Sequence, residues 1–333
     1  MPGPGGLRLI LALVVLISHL SALNIGRPAV VLFFISSGYW VSRRWLANGE
    51  GPGRFVVLRL LRIWPLFALV GALTWAARDW LGMPQSPDPL GGLLLLGSAS
   101  RGDMLTGVAW SLDLELQFYL CLPLLWLAAQ RLPGWQLWLL GGLAWGLGMW
   151  LMAHGAWTFL LYLPAFVAGM WLAGGPPLTE RDGPLAGHAA ALAGAGGFVL
   201  VAGLFALLPV TRPLLVKGPG LSLLVEQLAH LGWALLLLPV VARVLVRPSG
   251  RLDRQLGDAA YALYLVHSPV ITCLGAALAL EGFALKLATL PAVVLATMLL
   301  HVWVDRPLES ARRRAAFRFP AFAPLNLGAK RPN

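Results

Sequence analysis

Charged residues and cysteines are scarce in this sequence. Asp, Glu, Lys and Arg make up 12% of the 333 residues, whereas 58% are hydrophobic. This composition argues against a water-soluble domain and is typical of a polytopic membrane protein. The two cysteines, Cys121 and Cys273, each lie inside an apolar run. They indicate neither a disulfide framework nor a thiolate metal site, and we expect them to pack in the core.

Acidic residues are the scarcer charged class, with 14 Asp and Glu against 25 Lys and Arg, which gives a net charge of +11. The basic residues do not form one patch on a soluble domain, so nucleic acid is not expected as a partner. Membrane topology explains them better. If the N-terminus is cytoplasmic, inside segments hold 18 Lys and Arg and outside segments six, with Arg8 set aside as intramembrane. We therefore predict that both termini are cytoplasmic.

Ten apolar stretches approach the ~20 residues that a helix needs to cross about 30 Å of hydrocarbon. They are residues 7–24, 28–46, 56–76, 107–129, 135–153, 156–174, 185–209, 221–246, 256–280 and 283–304. The sequence therefore predicts an all-α, polytopic integral membrane bundle with about ten transmembrane helices. The shorter run Gly91–Gly97 cannot span, and we expect it to be a re-entrant or interfacial part of the loop 77–106.

One transmembrane domain is expected over residues 1–308. We expect residues 7–23 to be retained as the first span, because no signal-peptide cleavage site precedes a soluble domain. Residues 309–333 form a basic, proline-containing tail that is too polar and too short to build a core, and it is expected in the cytoplasm.

The first two apolar helices contain few ionisable side chains, and two of these are Arg8 and His19. An ionisable group inside a membrane costs ~2.5–3.5 kcal/mol on insertion scales, so it is treated as functional. Their spacing places them on nearby faces, roughly 16 Å apart along the helix. His19 is the candidate general base toward a hydroxyl, because histidine titrates near neutral pH. The alternative is a packing histidine with a hydrogen bond between helices.

Three arginines, Arg54, Arg59 and Arg62, lie at the start of the third apolar helix. Arg59 and Arg62 are three residues apart, so they share a helix face and can hold phosphate oxygens together. The alternative is anchoring to anionic lipid, which needs basic residues but not this spacing. The spacing alone does not outweigh that alternative.

Two carboxylates, Asp113 and Glu115, enter the otherwise apolar segment Trp110–Tyr119. Because they are two residues apart, they point to different faces of a helix and are not expected to cooperate as an acid pair. We expect one to face the site and the other to make a polar contact near the membrane interface.

Tyr261, Tyr264 and His267 or Ser268 recur at helical spacing in the ninth apolar stretch. They can face a common site. For the tyrosines, an aromatic stripe in the core with a hydrogen bond between helices is the more ordinary interpretation.

Together these segments resemble the acyltransferase 3 family of membrane-bound bacterial sugar and polysaccharide O-acyltransferases. The resemblance is carried by Arg8 with His19 and the turn Phe33-Phe34-Ile-Ser-Ser37-Gly38, then by Arg59-Leu-Leu-Arg62-Ile-Trp-Pro65, Trp110-Ser-Leu-Asp-Leu-Glu115-Leu-Gln-Phe118-Tyr119, Ala260-Tyr261-Ala-Leu-Tyr264-Leu-Val-His267 and Asp305-Arg306-Pro307. Each motif alone is weak, but their order across nearly the whole chain is specific. The chain departs from the usual family residues at Ala29, Val31, Ala260, Val266 and Asp305. None of these is a candidate catalytic or phosphate-binding position, so the departures bear on acceptor preference.

The resemblance implies transfer from acyl-CoA, most often acetyl-CoA, to a carbohydrate or glycolipid acceptor such as a cell-surface polysaccharide or its lipid-linked unit. Acyl-CoA acts as a co-substrate, no tightly bound cofactor or metal is implied, and other polysaccharide-assembly proteins are compatible partners. The implied location is the bacterial inner membrane. The residues are assigned by role as catalytic (His19, Arg8, Glu115), CoA-binding (Arg59, Arg62, Arg54) and substrate-contacting (Asp113, Tyr119, Tyr264, His267).

A transporter for a sugar-lipid or polysaccharide unit is the alternative. Ten helices with intramembrane ionisable residues fit a transporter as well as an enzyme. No internal repeat relates residues 1–160 to 161–333, which counts modestly against a transporter, and the ordered motifs count more.

Overall fold

The computed structural model describes residues 3–48, 51–86, 88–102, 105–174 and 183–318, and its regular elements there are helices. The α-helices are α1 (Pro4–Leu20), α2 (Gly26–Asn48), α3 (Pro52–Trp80), α4 (Pro89–Leu94), α5 (Ser98–Arg101), α6 (Ala109–Arg131), α7 (Gly134–Ala153), α8 (Leu163–Gly174), α9 (Gly183–Leu207), α10 (Leu223–Leu235), α11 (Leu238–Leu245), α12 (Arg251–Leu278), α13 (Gly282–Leu300) and α14 (Arg306–Arg318). A 3-10 helix, Phe159–Tyr162, precedes α8, and a π-helical turn, His301–Asp305, joins α13 to α14. The all-α prediction is confirmed for this part of the chain.

Six helices are long and apolar enough to cross a membrane: α3, α6, α7, α9, α12 and α13 with its continuation. The count becomes seven if α10 and α11, which are bent by 56° at the break between them, form one span. All ten predicted stretches are helical, but α1 and the segment Phe159–Gly174 are shorter than 18 residues. The count of ten spans is therefore not confirmed, and the side on which each terminus lies stays a prediction.

The short run 91–97 and the motif 33–38 both include helical residues. The run 91–97 contains the end of the short helix α4, which has only six residues and cannot span. The motif Phe33–Gly38, named a turn in the resemblance, lies within α2, as the predicted helical stretch 28–46 requires. The glycine serves close packing there instead of a turn, since a Cβ atom at Gly38 would collide with the carbonyl oxygen of Phe166.

The remaining expectations concern the tail and the cysteines. Residues 309–318 continue α14, and residues 319–333 of the predicted tail lie outside the described residues. Cys121 and Cys273 are both unpaired and half-buried.

Helices α1 and α12 are joined at their first turns by a carboxylate. The side chain of Asp253 in α12 accepts hydrogen bonds from the backbone amides of Gly5 at 3.0 Å and Gly6 at 2.8 Å in α1. These amides have no partner within α1, because the first N–H groups of a helix lie beyond its own carbonyls. The negative charge also favours this helix end through the helix dipole. A Cβ atom on Gly257 would lie 3.0 Å from the Cα of Gly5, so the two backbones are nearly in contact.

Helices α2 and α8 form a second close pair. A Cβ atom added to Gly169 would collide with the backbone carbonyl of Ile35, and the rings of Phe34 and Phe166 lie 4.8 Å apart. Small residues that allow backbone approach are the usual basis of helix packing in membranes, where lipid gives helices no hydrophobic reason to associate. The close packing of this pair sets the orientation of α2, the helix that carries Ser37.

Replacing Gly169 with Leu should therefore destabilise the protein by about 1–3 kcal/mol, because the new side chain meets backbone that cannot rotate away. The matched control is Gly142→Leu in α7, where nothing lies within 4 Å of a new Cβ atom. Thermal unfolding of the detergent-purified variants measures the difference. Equal midpoints for the two variants would contradict the close approach of α2 and α8.

Candidate active site

A cavity of about 800 Å³ lies between α1, α2, α3, α6 and α12. We call it the central cavity. One part of its wall comes from the first turns of α1 and α12, at Gly5 and Arg251, and another from Phe33, Ser111 and Tyr264. The cavity therefore extends from the helix ends joined by Asp253 into the apolar part of the bundle.

Arginine dominates the charge of the central cavity. Its lining includes six arginines, namely Arg8, Arg44, Arg59, Arg62, Arg251 and Arg254, but only two acids, Glu115 and Asp258. Two of these guanidinium groups lie over aromatic rings, Arg8 at 5.9 Å from the Trp40 centroid and Arg59 at 5.8 Å from that of Phe55. Several fixed guanidinium groups facing one cavity attract an anion and can bind phosphate oxygens in a bidentate manner. The cavity is suited to a ligand with more than one negative charge.

Glu115 lies in the wall of the central cavity within a compact hydrogen-bonded group. Its Oε1 atom accepts hydrogen bonds from Ser37 Oγ at 2.5 Å and from Tyr119 OH at 2.5 Å, and the two hydroxyl oxygens are 2.9 Å apart. Tyr119 is one helical turn after Glu115, so α6 supplies both groups and α2 supplies the serine. This sharing orients the carboxylate toward α2.

Tyr264 forms part of the apolar end of the central cavity. Its hydroxyl oxygen is 2.7 Å from Ser111 Oγ, and its ring centroid is 5.9 Å from that of Phe33. The same ring lies 5.7 Å from the ring of His267, which is not part of the cavity lining. Tyr264 therefore stands between the cavity and His267.

His19 lies beyond this boundary, near the last turn of α1. Its ring centroid is 5.0 Å from that of His267, at an interplanar angle of 64°. His19 is exposed and does not line the central cavity, whereas His267 is 0% exposed. The arginine-rich wall and the histidine pair are thus at different levels of the bundle.

The loop between α9 and α10 binds the C-terminal end of α1, next to His19. Lys217 Nζ donates hydrogen bonds to the carbonyl oxygens of Ser18 and, at 3.1 Å, of Ser21. Burial, and to a smaller extent the charge of Arg27, lowers the pKa of the Lys217 ammonium group. A lysine at a helix C-terminus satisfies the last carbonyls of that helix.

The structure brings six of the ten predicted site residues to the central cavity: Arg8, Arg59, Arg62, Glu115, Tyr119 and Tyr264. The others, His19, His267, Asp113 and Arg54, are not part of its lining. Arg54 is five residues before Arg59, which rotates it well away from the face that Arg59 and Arg62 share.

Asp113 was predicted to contact substrate, but it lies outside the lining of the central cavity. It is 0% exposed, and its carboxylate accepts hydrogen bonds from the backbone amides of Gly97 at 2.8 Å and Ala99 at 2.9 Å. Gln117 donates a further hydrogen bond to it at 3.0 Å. Asp113 thus holds the loop that contains α5 against α6.

Several lining residues were not predicted. Arg251 and Arg254 repeat the three-residue spacing of Arg59 and Arg62, which could have marked them. Asp258 lies two residues before the segment Ala260–His267 that was quoted from α12. Ser111 lies in the predicted motif of α6, but its bond to Tyr264 joins residues 153 positions apart. No local pattern carries that information.

A smaller cavity of about 300 Å³ adjoins the first and shares Arg62, Asp258 and Tyr261 with it. Its other wall includes the π-helical turn, where His301 Nδ1 is 3.0 Å from the Asp305 carboxylate. The Asp305-Arg306-Pro307 motif therefore lies next to the arginine-rich wall.

Comparison with known proteins identifies one family. Residues 2–306 match the family model of the acyltransferase domain. No curated protein and no solved structure matches the chain. The family match supports an acyltransferase in a multi-pass membrane bundle and gives no support to the transporter alternative.

Replacing Asp113 with Ala should destabilise the fold without removing a group from the central cavity. The change leaves the amides of Gly97 and Ala99 without their partner, at a cost of about 1–3 kcal/mol for a buried donor. Asp79→Ala, at an exposed position near the end of α3, should change stability by no more than ~0.5 kcal/mol. Chemical or thermal unfolding compares the two, and wild-type stability for Asp113→Ala would contradict the assigned role.

Proposed function

The chain belongs to the acyltransferase 3 family, and we propose that it is an O-acyltransferase that uses acyl-CoA as donor. The proposed acyl group is acetyl. The acceptor is a hydroxyl of a carbohydrate, such as a cell-surface polysaccharide or its lipid-linked unit. The protein acts in the bacterial inner membrane, with the arginine-rich wall toward the cytoplasm.

One observation carries this proposal: six arginines and two acids line a single cavity whose other end is aromatic. Coenzyme A has the matching chemistry, with phosphates at one end and an uncharged pantetheine arm at the other. Arg59 and Arg62 hold the phosphates, and the arm extends past Glu115 toward Tyr264. Arg59 is only 6% exposed, so its attraction for phosphate is weakly screened.

His19 is the general base in this mechanism. It takes the proton of the acceptor hydroxyl as the oxygen attacks the thioester carbonyl. The tetrahedral intermediate then collapses, the C–S bond breaks, and the thiolate of CoA takes the proton from the His19 imidazolium. The products are the O-acyl ester and free CoA thiol.

Tyr264 must move during the reaction, because it separates the central cavity from the histidines. Its ring contacts Phe33 on the cavity side and His267 on the other. A rotation that breaks the 2.7 Å contact with Ser111 joins the two levels. Arg8, in the same helix as His19, stabilises negative charge on the donor side.

His19→Ala should lower the turnover number by about 10²–10⁴-fold, the usual contribution of a general base. Release of CoA thiol from acetyl-CoA by detergent-purified protein, with a glycan pool as acceptor, measures this effect. His154→Ala, which changes an exposed histidine at the end of α7, is the matched control and should keep wild-type turnover. Full activity of His19→Ala would remove it from the mechanism.

Arg59→Gln and Arg62→Gln should each raise the KM for acetyl-CoA by about tenfold or more, since a hydrogen bond to a charged group contributes ~1.5–3 kcal/mol. Arg54→Gln, from the same helix but outside the cavity lining, should have a smaller effect. Arg131→Gln, at the end of α6, should have none. Equal KM values in all four variants would contradict phosphate binding in the central cavity.

A further inference from the structure

We propose that His267 is a positioning residue for His19, and that its Nε2 atom accepts a hydrogen bond from the His19 ring when His19 is protonated. The inference rests on the proposed role of His19 as base. It assigns to His267 a task other than the substrate contact expected from the sequence.

The hydrogen bond at the other ring nitrogen determines the tautomer of His267. Its Nδ1 atom lies 3.3 Å from the carbonyl oxygen of Leu263, one turn earlier in α12. A carbonyl oxygen only accepts, so Nδ1 carries the proton and Nε2 presents a lone pair. With this tautomer the side chain is a neutral hydrogen-bond acceptor at Nε2.

The Nε2 atom of His267 is buried and has no hydrogen-bond partner among the described residues. A buried acceptor without a partner costs about 1–3 kcal/mol, so such a group needs a reason. The nearest ring that can supply a donor is that of His19, with the centroids 5.0 Å apart. Because a ring nitrogen lies roughly 1.1 Å from the centroid, two facing nitrogens can approach to about 2.8 Å, within hydrogen-bond range.

The register of the two helices supports this pairing. Gly5 and Asp253 are in contact at the first turns of α1 and α12. His19 follows Gly5 by 14 residues, and His267 follows Asp253 by 14 residues. Fourteen residues are close to four helical turns, or ~21 Å, so both histidines return to the facing sides of their helices at one level.

The carboxylates of α6 do not take this position. Glu115 accepts hydrogen bonds from Ser37 and Tyr119, and Asp113 accepts from the backbone of Gly97 and Ala99. The charged group beside His19 in the described part of the chain is Lys217, which carries the same charge sign as the imidazolium. His267 is therefore the group placed to stabilise protonated His19.

His19 takes the acceptor proton on one nitrogen, and the proton on its other nitrogen is directed to Nε2 of His267 without being transferred. When the CoA thiolate leaves, His19 returns the proton to sulfur. His267 stays neutral throughout and makes no contact with donor or acceptor.

The test compares His267→Leu with His267→Gln, which keeps an acceptor oxygen. His267→Leu should lower kcat by about 10–100-fold, the effect of one hydrogen bond to a charged group. The KM for acetyl-CoA should stay within about twofold, and the acid limb of the pH–rate profile should move to lower pH. His267→Gln should recover most of the turnover. If leucine prevents folding, His267→Met supplies a second apolar replacement.

His230→Leu is the matched control. His230 is also 0% exposed and hydrogen-bonds a backbone carbonyl, that of Leu214 at 2.7 Å, but its ring neighbour is Trp233. Its replacement should lower stability and leave the acid limb unmoved. Wild-type kcat and pH profile in His267→Leu would overturn the proposal, as would a raised KM with an unmoved acid limb.

A second measurement does not depend on turnover. NMR spectra of protein labelled with ¹⁵N in the histidine rings report the titration midpoint of His19, which should change in His267→Leu and return toward the wild-type value in His267→Gln. The same midpoint in all three proteins would overturn the pairing even in a protein that shows no transfer. Absence of thiol release from wild type would instead count against the proposed function alone.

Discussion

Asp253 joins α1 and α12 at their first turns, and these two helices carry Arg8, His19, Tyr264 and His267. A carboxylate from the first turn of α12 satisfies the amides of Gly5 and Gly6, and glycines bring the two backbones almost into contact. Parallel helices fixed at one end keep the same residue interval at every level. His19 therefore meets His267 about four turns further on, and Arg8 and Asp258 both line the central cavity between these two levels.

Much of the secondary structure could be predicted because its cause is local. In lipid, the backbone N–H and C=O groups of an apolar run must hydrogen-bond to each other, which favours a helix. All ten apolar runs are helical. The bend of 56° between α10 and α11 was not predicted, although Pro239 follows the break and cannot donate a backbone hydrogen bond. The close approach of Gly38 to the backbone of Phe166 was not predicted, because a sequence does not show which backbone a glycine approaches.

In the candidate site too, features set by spacing within one helix could be predicted, and features set by packing between helices could not. Spacing within one helix placed Arg59 and Arg62 on a common face, and both line the central cavity. Spacing also predicted that Asp113 and Glu115 would face different surroundings, but not which of the two would line the cavity. The pairing of His19 with His267 joins helices at opposite ends of the chain. It depends on packing that no motif records.

The hydrogen bond between Tyr264 and Ser111 has a consequence for the membrane itself. The bundle has an arginine-lined cavity at one level and a pair of histidines at another. The Tyr264 ring, held between Phe33 and His267, separates these levels with an aromatic surface. In a membrane, Tyr264 therefore acts as an aromatic barrier between the two polar levels of the bundle.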